Sequence, residues 1–452
     1  MNYLKYSLAL FLLIISIATS QAQQTITLQD ALTYALKNSK AVTKARLDIE
    51  AGDYKIKEVR AAALPQIDVT SQLTRNLKVQ KFILPAEFMG GEPGEFVAVT
   101  AGTTWGAMSQ VQLNQQLFNQ QVFTGLKASR SSKEYYQLAE KVAEENLLQL
   151  VATNYYQVII TREQLQVIDA NLERVNELEK IVSNQFELGL AKRIDLDRVK
   201  VNKGNLNAQR EELLYGISQQ ENLLKYYMGM PITEQIAIPE SSILELEKEA
   251  GLEILNANNF NVERLNDYKI LKKQEELLGF QRKAYISEFY PSLSLGGNYI
   301  YNTQSNEFNL YTNKALSYGM SAATLTLKIP IFDGGARSAK VKQANIDIQK
   351  IQEDIKDSSN ALKMAYENAS IQIKNNLNTI EAQKGNKALA EEVFNSIQNN
   401  YHNGLASLTD LLNAETDLVS AQNSYNTALL NYKVAEIELI KSNGNIKSLI
   451  IE

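Results

Sequence analysis

Phe186-Glu187-Leu188-Gly189-Leu190-Ala191-Lys192-Arg193-Ile194-Asp195 and Tyr401-His402-Asn403-Gly404-Leu405-Ala406-Ser407-Leu408-Thr409-Asp410 are two versions of one phrase. Each runs from an aromatic residue through a Gly-Leu-Ala turn to an aspartate at the same distance. Upstream of each lies a long stretch almost free of glycine and proline. Ahead of that stand Leu117-Phe118-Asn119 in one copy and Ile331-Phe332-Asp333 in the other. The spacing between copies is nearly the same at both landmarks, so hardly an insertion separates them. A repeated strand, long helix, tip and helix is an architectural signal, because each repeat is one supersecondary unit that buries its apolar face against its neighbours. The expected plan is an address segment at residues 1–22, a first repeat at 23–236 (helix, β-hairpin, long helix, tip, return helix), and a second repeat of the same order at 237–452.

Lys5 sits in a short basic start, Leu8 to Ile17 form an apolar run, and Ser20-Gln21-Ala22 offers small residues for cleavage after Ala22. This is the pattern of a secretory signal peptide. The run is shorter than the ~20 residues with which a helix spans a bilayer. No later segment has enough unbroken apolar residues for a transmembrane helix, but barrel strands give a much weaker hydropathy signal. The chain has no cysteine, which excludes disulfides, thiol catalysis, thiolate metal sites and a lipid on an N-terminal cysteine. His402 is the only histidine, and no nucleophile–base motif accompanies it. An exported enzyme is therefore disfavoured, and no metal or cofactor is expected. A net charge of −5 without a basic stripe argues against nucleic acid as a partner.

After Pro65 the chain alternates, with Ile67, Val69, Leu73, Leu77 and Val79 opposite Gln66, Asp68, Thr70, Gln72, Thr74, Asn76 and Lys78. Trp105, Ala107, Val111, Leu113 and Leu117 do the same before Phe118. So do Leu293, Leu295, Tyr299 and Tyr301 after Pro291, and Leu325, Leu327, Ile329 and Ile331. A period of two with one polar face predicts strands. Each stretch matches the ~9–11 residues of a tilted membrane-spanning strand. Trp105, Tyr299, Tyr301, Tyr311 and Tyr318 lie toward the loop ends, where an aromatic girdle sits. The segment around Leu84-Pro85 and Gly90-Gly91-Glu92-Pro93-Gly94 reads as a surface loop. A soluble half-buried sheet has the same alternation, and the export signal and duplication speak against it. Four strands in lipid leave two open edges whose unpaired backbone groups cost several kcal/mol each. Small barrels begin near eight strands, so several chains must share one wall. This argument requires an oligomer without choosing its number.

From about Gln121 to Phe186 there is no proline and one glycine, Gly125. Leu165, Ile168, Leu172, Val175, Val182 and Phe186 recur in threes, fours and sevens, and Leu411, Leu418, Tyr425 and Tyr432 recur at seven. That is coiled-coil periodicity. At 1.5 Å per residue such a helix is about 100 Å long. The return arms, Arg193 to Tyr227 and Leu408 to Leu439, are about half as long. Helices at Leu28 to Ala63 and Glu263 to Phe289 supply the missing length, so two shorter helices should stack end to end beside each long one. Thr27 and Asp30 form a capping-box pattern at the first of them. Met228 to Gly251 reads as an irregular connection, with the tail past Lys441 packing in the same zone.

With these elements in order, the chain resembles the TolC-like outer membrane efflux proteins from about Leu28 to Leu449. The carrying residues are Leu28-Gln29-Asp30-Ala31-Leu32, Ala63-Leu64-Pro65, Ile329-Pro330-Ile331-Phe332-Asp333-Gly334-Gly335, the two Gly-Leu-Ala tips, and Asp410-Leu411-Leu412-Asn413-Ala414. The resemblance implies a mainly α protein with a membrane β-barrel. Three chains would close one twelve-stranded barrel in outer-membrane lipid and continue it as a periplasmic α-helical tunnel. It implies a homotrimer, a periplasmic adaptor protein and an inner-membrane transporter, together an exit duct for a tripartite efflux or type I secretion system. It places a periplasmic gate at Asp195, Tyr401, Asp410 and Asn413. Where the family carries a basic residue after the second tip glycine, this chain has Ala406. Arg193 after the first tip is the expected substitute, pairing with Asp410 or with a neighbour's carboxylate. Leu188, Gly189, Leu190, Asn403, Gly404 and Leu405 are expected to dock the adaptor. The competing expectation is a periplasmic coiled-coil scaffold without a pore, which has no need of alternation along four membrane-length strands.

Overall fold

The computed structural model describes residues 25–239 and 260–450. The expected signal peptide and much of the connection between the repeats lie outside the described residues. In chain order the elements are α1 (Leu28–Asn38), α2 (Lys40–Ala61), β1 (Gln66–Arg75), β2 (Lys81–Pro85), β3 (Phe96–Thr100), β4 (Trp105–Phe118), α3 (Gln120–Glu187), α4 (Arg193–Met228), α5 (Asn266–Ser287), β5 (Ser292–Ser305), β6 (Leu316–Lys328), α6 (Ala336–His402) and α7 (Leu408–Ser442). They group into two compact units. One holds residues 49–135 and 273–353; the other holds residues up to 48, 136–272 and from 354 onward. Each unit draws on both halves of the chain. Among the described residues no helix is long and apolar enough to cross a membrane.

The first unit holds an antiparallel sheet of order β1-β4-β5-β6. The alternation read along each strand also runs across the strands. Ile67, Leu113, Gly297 and Ala323 form one row, and Asp68, Gln112, Asn298 and Ala322 form the next. Val69, Val111 and Tyr299 share the apolar face with the first row. The faces are not pure: Ser71, Ser109 and Thr303 lie on the apolar one and Ile300, Met320 and Tyr318 on the polar one, and Gln115 is a further polar exception on the apolar face. Its amide donates to the Ala63 carbonyl at 3.0 Å, so the group is satisfied at the sheet's base. Gly319 makes room for an aromatic ring, because a Cβ there would come 2.9 Å from the Tyr299 hydroxyl. Every residue of β1 and β6 is exposed, including Ile67, Val69, Leu325 and Leu327, and each of these two strands is paired on one side only.

Three strand expectations are corrected. β1 stops at Arg75, so Leu77 and Val79 lie beyond it. Asn76 closes the ladder there, its backbone donating to the Thr104 carbonyl and its side chain to the Thr103 carbonyl, both at 2.8 Å. β6 stops at Lys328, leaving Ile329 and Ile331 outside, because Pro330 has no N–H for a ladder. The expected surface loop carries its own hairpin, β2 paired with β3 from Lys81–Thr100 to Pro85–Phe96. The turn residues sit at its tip, with Gly90 and Gly94 at φ 82° and 94°.

The strand-to-helix junction before α6 is tightly tied. Gly334 and Gly335 take φ of 68° and 88°, and Asp333 accepts hydrogen bonds from the Gly335 and Arg337 backbones. Arg337 is buried. It donates to Asp333 at 2.7 Å and to the carbonyls of Glu288 and Pro330, and it lies over the Phe289 ring. Arg337→Met should leave those carbonyls without a donor, lowering stability by about 1–3 kcal/mol, read as a drop in thermal midpoint.

α3 has 68 residues and α4 36; α6 has 67 and α7 35. The heptad series survives as burial, since Leu411, Leu418, Tyr425 and Tyr432 are all in the core. Ala31, Leu32 and Ala35 of α1 pack with Leu148, Val151 and Val158 of α3, Leu224 and Met228 of α4, and Leu429 and Ile437 of α7. The Tyr155 hydroxyl donates to the Ile26 carbonyl at 3.0 Å inside this core. The expected Thr27–Asp30 capping box is formed. The expected helix from Leu28 is two helices, broken at Ser39. The break is where α4 ends: a Cβ on Gly229 would lie 2.4 Å from the Asn38 carbonyl oxygen. Likewise, just past the end of α7 at Ser442, a Cβ on Gly444 would lie 3.1 Å from the side chain of Leu265, just ahead of α5. Both return helices therefore end in close contact with a residue that just precedes a shorter helix. The last turn, Ile446–Ile450, joins the same core through Ile446, and Lys447 bonds Glu144 at 2.6 Å.

Candidate functional site

Both tips solve the same backbone problem in the same way. Gly189 N–H donates to the Phe186 carbonyl at 3.0 Å and Leu190 N–H to Gln185 at 2.7 Å. Gly404 donates to Tyr401 at 3.0 Å and Leu405 to Asn400 at 2.7 Å. These are Schellman closures, and they need a left-handed residue, which both glycines supply at φ 74°. The Asn403 side chain adds a bond to the Asn399 carbonyl. Closure of the backbone leaves the side chains outward: Leu188, Leu190 and Leu405 are more than 70 % exposed at 74 %, 78 % and 79 %. Apolar side chains this bare, repeated at both tip turns, are unusual for a solvated surface.

Behind the tips an apolar cluster of Val175, Val182, Leu196, Val199, Phe394, Leu408 and Leu411 holds α3, α4, α6 and α7 together. The structure brings two expected gate residues close. Tyr401 is half-buried, and burial first, then the negative charge of Asp195, raises its phenol above the ordinary range. Asp410 has a local role that the sequence reading did not assign. It forms a capping box with Ser407, whose hydroxyl donates to its carboxylate at 2.6 Å, and this holds the carboxyl below its usual range. Within the subunit Arg193 sits 3.7 Å from Asp197 on its own helix rather than beside Asp410, and both side chains are exposed. Asn413 is exposed in a groove shared with Ile194, Arg198 and Leu412. Arg198 of α4 donates to the hydroxyl of Thr409, at the start of α7, at 2.6 Å. No local motif announced that contact.

A second group was missed. Glu415 is buried on α7, its carboxylate 3.5 Å from Arg174 Nε of α3, and the guanidinium lies over the Phe394 ring. Burial raises the Glu415 carboxyl to about 7, against the lowering effect of Arg174. The signal was present in the sequence, since Glu415 sits between Leu411 and Leu418 on the apolar stripe, where a carboxylate is out of place.

The outer membrane efflux protein family model matches residues 31–230 and 277–445, most of the chain. The chain belongs to the outer membrane efflux protein family. It is 19% identical over 393 residues to outer membrane protein TolC of Vibrio cholerae, covering 86% of this chain and 83% of that protein. It is 19% identical over 443 residues to TolC of Escherichia coli, covering 94% and 84%. Its fold matches the crystal structure of the outer membrane protein VceC of Vibrio cholerae with a TM-score of 0.70 at 15% identity, covering 92% of this chain and 96% of that one. Members of this family are efflux ducts rather than enzymes. This efflux family protein resides in the outer membrane with its helical part in the periplasm, and it serves as an exit duct for efflux or secretion.

Proposed function

We propose that three copies of the chain close a twelve-stranded barrel and continue it as a periplasmic helical tunnel. A periplasmic adaptor and an inner-membrane transporter would deliver substrate to its tips. The observation that carries this reading is the sheet: four paired strands, one mainly apolar and one mainly polar face, and two unpaired edges. In lipid those edges must be paired, and copies of the same chain offer β6 to β1. The two strand–helix–tip halves are read as copies of one unit. The bare leucines Leu188, Leu190 and Leu405, presented by Gly189, Asn403 and Gly404, are the adaptor's docking points. Asp195, Tyr401, Asp410 and Asn413 form the gate, with Arg193 reaching a carboxylate of a neighbouring subunit. A scaffold without a pore leaves the polar strand face unexplained.

Heat-modifiable mobility of the detergent-extracted protein, together with single-channel recording, tests the reading. A trimer band that conducts supports it; a folded monomer that stays in water without detergent sinks it. Arg193→Ala should raise resting conductance, because its partner on the same helix is an exposed pair worth under ~1 kcal/mol and its effect must come from across a subunit boundary. An unchanged closed state would discard that role for Arg193.

A further inference from the structure

We propose that Glu415 and Arg174 form a proton-keyed latch inside each subunit, holding α7 on α3 and yielding when the tips part. The proposal rests on the gate reading above and adds to it a residue pair and a sign of pH response.

The geometry is that of a charged pair placed where an apolar contact would do. Glu415 lies between Leu411 and Leu418 in the tip core, and its side chain is 4% exposed. Arg174 reaches it across the helix interface at 3.5 Å, and its Nε and Nη2 make no hydrogen bond. Phe394 of α6 carries the guanidinium on its ring face, so one pair ties three helices. The small cavity around the pair also receives Glu177 from α3 and Tyr401 and His402 from α6, while Asp195 of α4 acts on Tyr401. Taking a carboxylate out of water costs more than an imperfectly aligned guanidinium returns. The raised Glu415 value of about 7 is the expression of that balance.

The sign follows from linkage. Exposed to water, Glu415 titrates near its ordinary 4.5; buried, it titrates near 7. The buried arrangement therefore binds the proton more tightly. As pH rises between those values, the equilibrium moves toward arrangements that expose Glu415, by up to about tenfold per pH unit. Above the upper value both arrangements are ionised and the drift ends. Protonation fastens the latch and deprotonation loosens it.

Single-channel recording of the assembled protein from about pH 5 to about pH 8 reads this directly. Wild-type open probability should climb with pH and level off near neutrality. Glu415→Gln, a permanent stand-in for the protonated acid, should hold the low-pH open probability across the range. Arg174→Met removes the group that lowers the Glu415 pKa, so the midpoint should move to higher pH. Glu177→Gln, in the same pocket, should leave the profile as it was. A Glu415→Gln channel with the wild-type profile overturns the latch. If that variant does not assemble, an unmoved midpoint in Arg174→Met overturns it instead. No conductance in any variant at any pH would sink the duct reading and the latch with it. A conducting trimer whose profile ignores both substitutions would sink the latch alone.

Discussion

Val111→Arg will abolish the heat-modifiable oligomer in outer-membrane fractions, while Gln112→Arg, one residue away, will assemble. Val111 sits mid-strand on β4, between Val69 and Tyr299 on the apolar face, and is exposed in the subunit. Because β4 is an inner strand, the change leaves both sheet edges intact. An arginine facing lipid at mid-depth costs about 2–4 kcal/mol, and in a trimer the cost recurs in each copy. Gln112 lies in the row of Asp68 and Asn298 on the polar face, where a charge meets water. Its expected effect is a shift of ion selectivity toward anions, measured as reversal potential in a salt gradient. Equal behaviour of the two variants would contradict the assignment of the faces.

Gly229→Val will prevent a stable helical unit from forming. Gly229 has φ 74°, a region where a left-handed residue with a Cβ costs roughly 1–2 kcal/mol and a β-branched one more. The Cβ would also fall 2.4 Å from the Asn38 carbonyl oxygen and 2.8 Å from its carbon. Backbone cannot give way as a flexible side chain can, so the end of α4 must retreat from the α1–α2 junction. Overpacking of this kind adds about 1–3 kcal/mol. The unit's largest core meets there, with Met228, Leu224 and Leu32 all buried. Yield of folded protein and thermal midpoint should both fall sharply. Gly204→Ala in the same helix is the contrast. Nothing lies within 4 Å of its Cβ position and the residue is exposed, so helix propensity alone acts and should stabilise by about 0.5–1 kcal/mol. A Gly229→Val protein as stable as wild type would show that the junction is not close-packed in solution.

The strand alternation around Val69, Val111, Tyr299 and Leu325 was legible because face preference is written at every second residue. The long helices were legible through their sevens, and the tips through Gly189 and Gly404, whose backbone demand is met within six residues. Legibility failed where a local pattern was ambiguous about its extent. Leu77 and Val79 continue the alternation, yet Asn76 ends the ladder by bonding to Thr103 and Thr104. Residues 81–100 have turn composition at their centre and still pair as a hairpin, because the apolar runs Phe82-Ile83-Leu84 and Val97-Ala98-Val99 flank the glycines and face each other across the ladder. Asp410 was read for its charge, whereas Ser407, three residues earlier, gives it a capping role that the same pattern had correctly announced at Thr27 and Asp30.

The sequence alone determined the kind and order of the four long strands and the long helices, the two faces of the sheet and the glycine turns at the tips. Each of these is a short-range consequence of side-chain period or backbone freedom. The tertiary structure decided which helix surfaces meet. It put Asn38 under Gly229, Arg198 on Thr409 and Arg174 beside Glu415, pairs that are far apart in the chain. A helix presents residues to all sides, and its period does not say which neighbour will stand opposite. That choice is made by packing the whole core, and the buried charge at Glu415 acquires its altered titration only once that packing has excluded water.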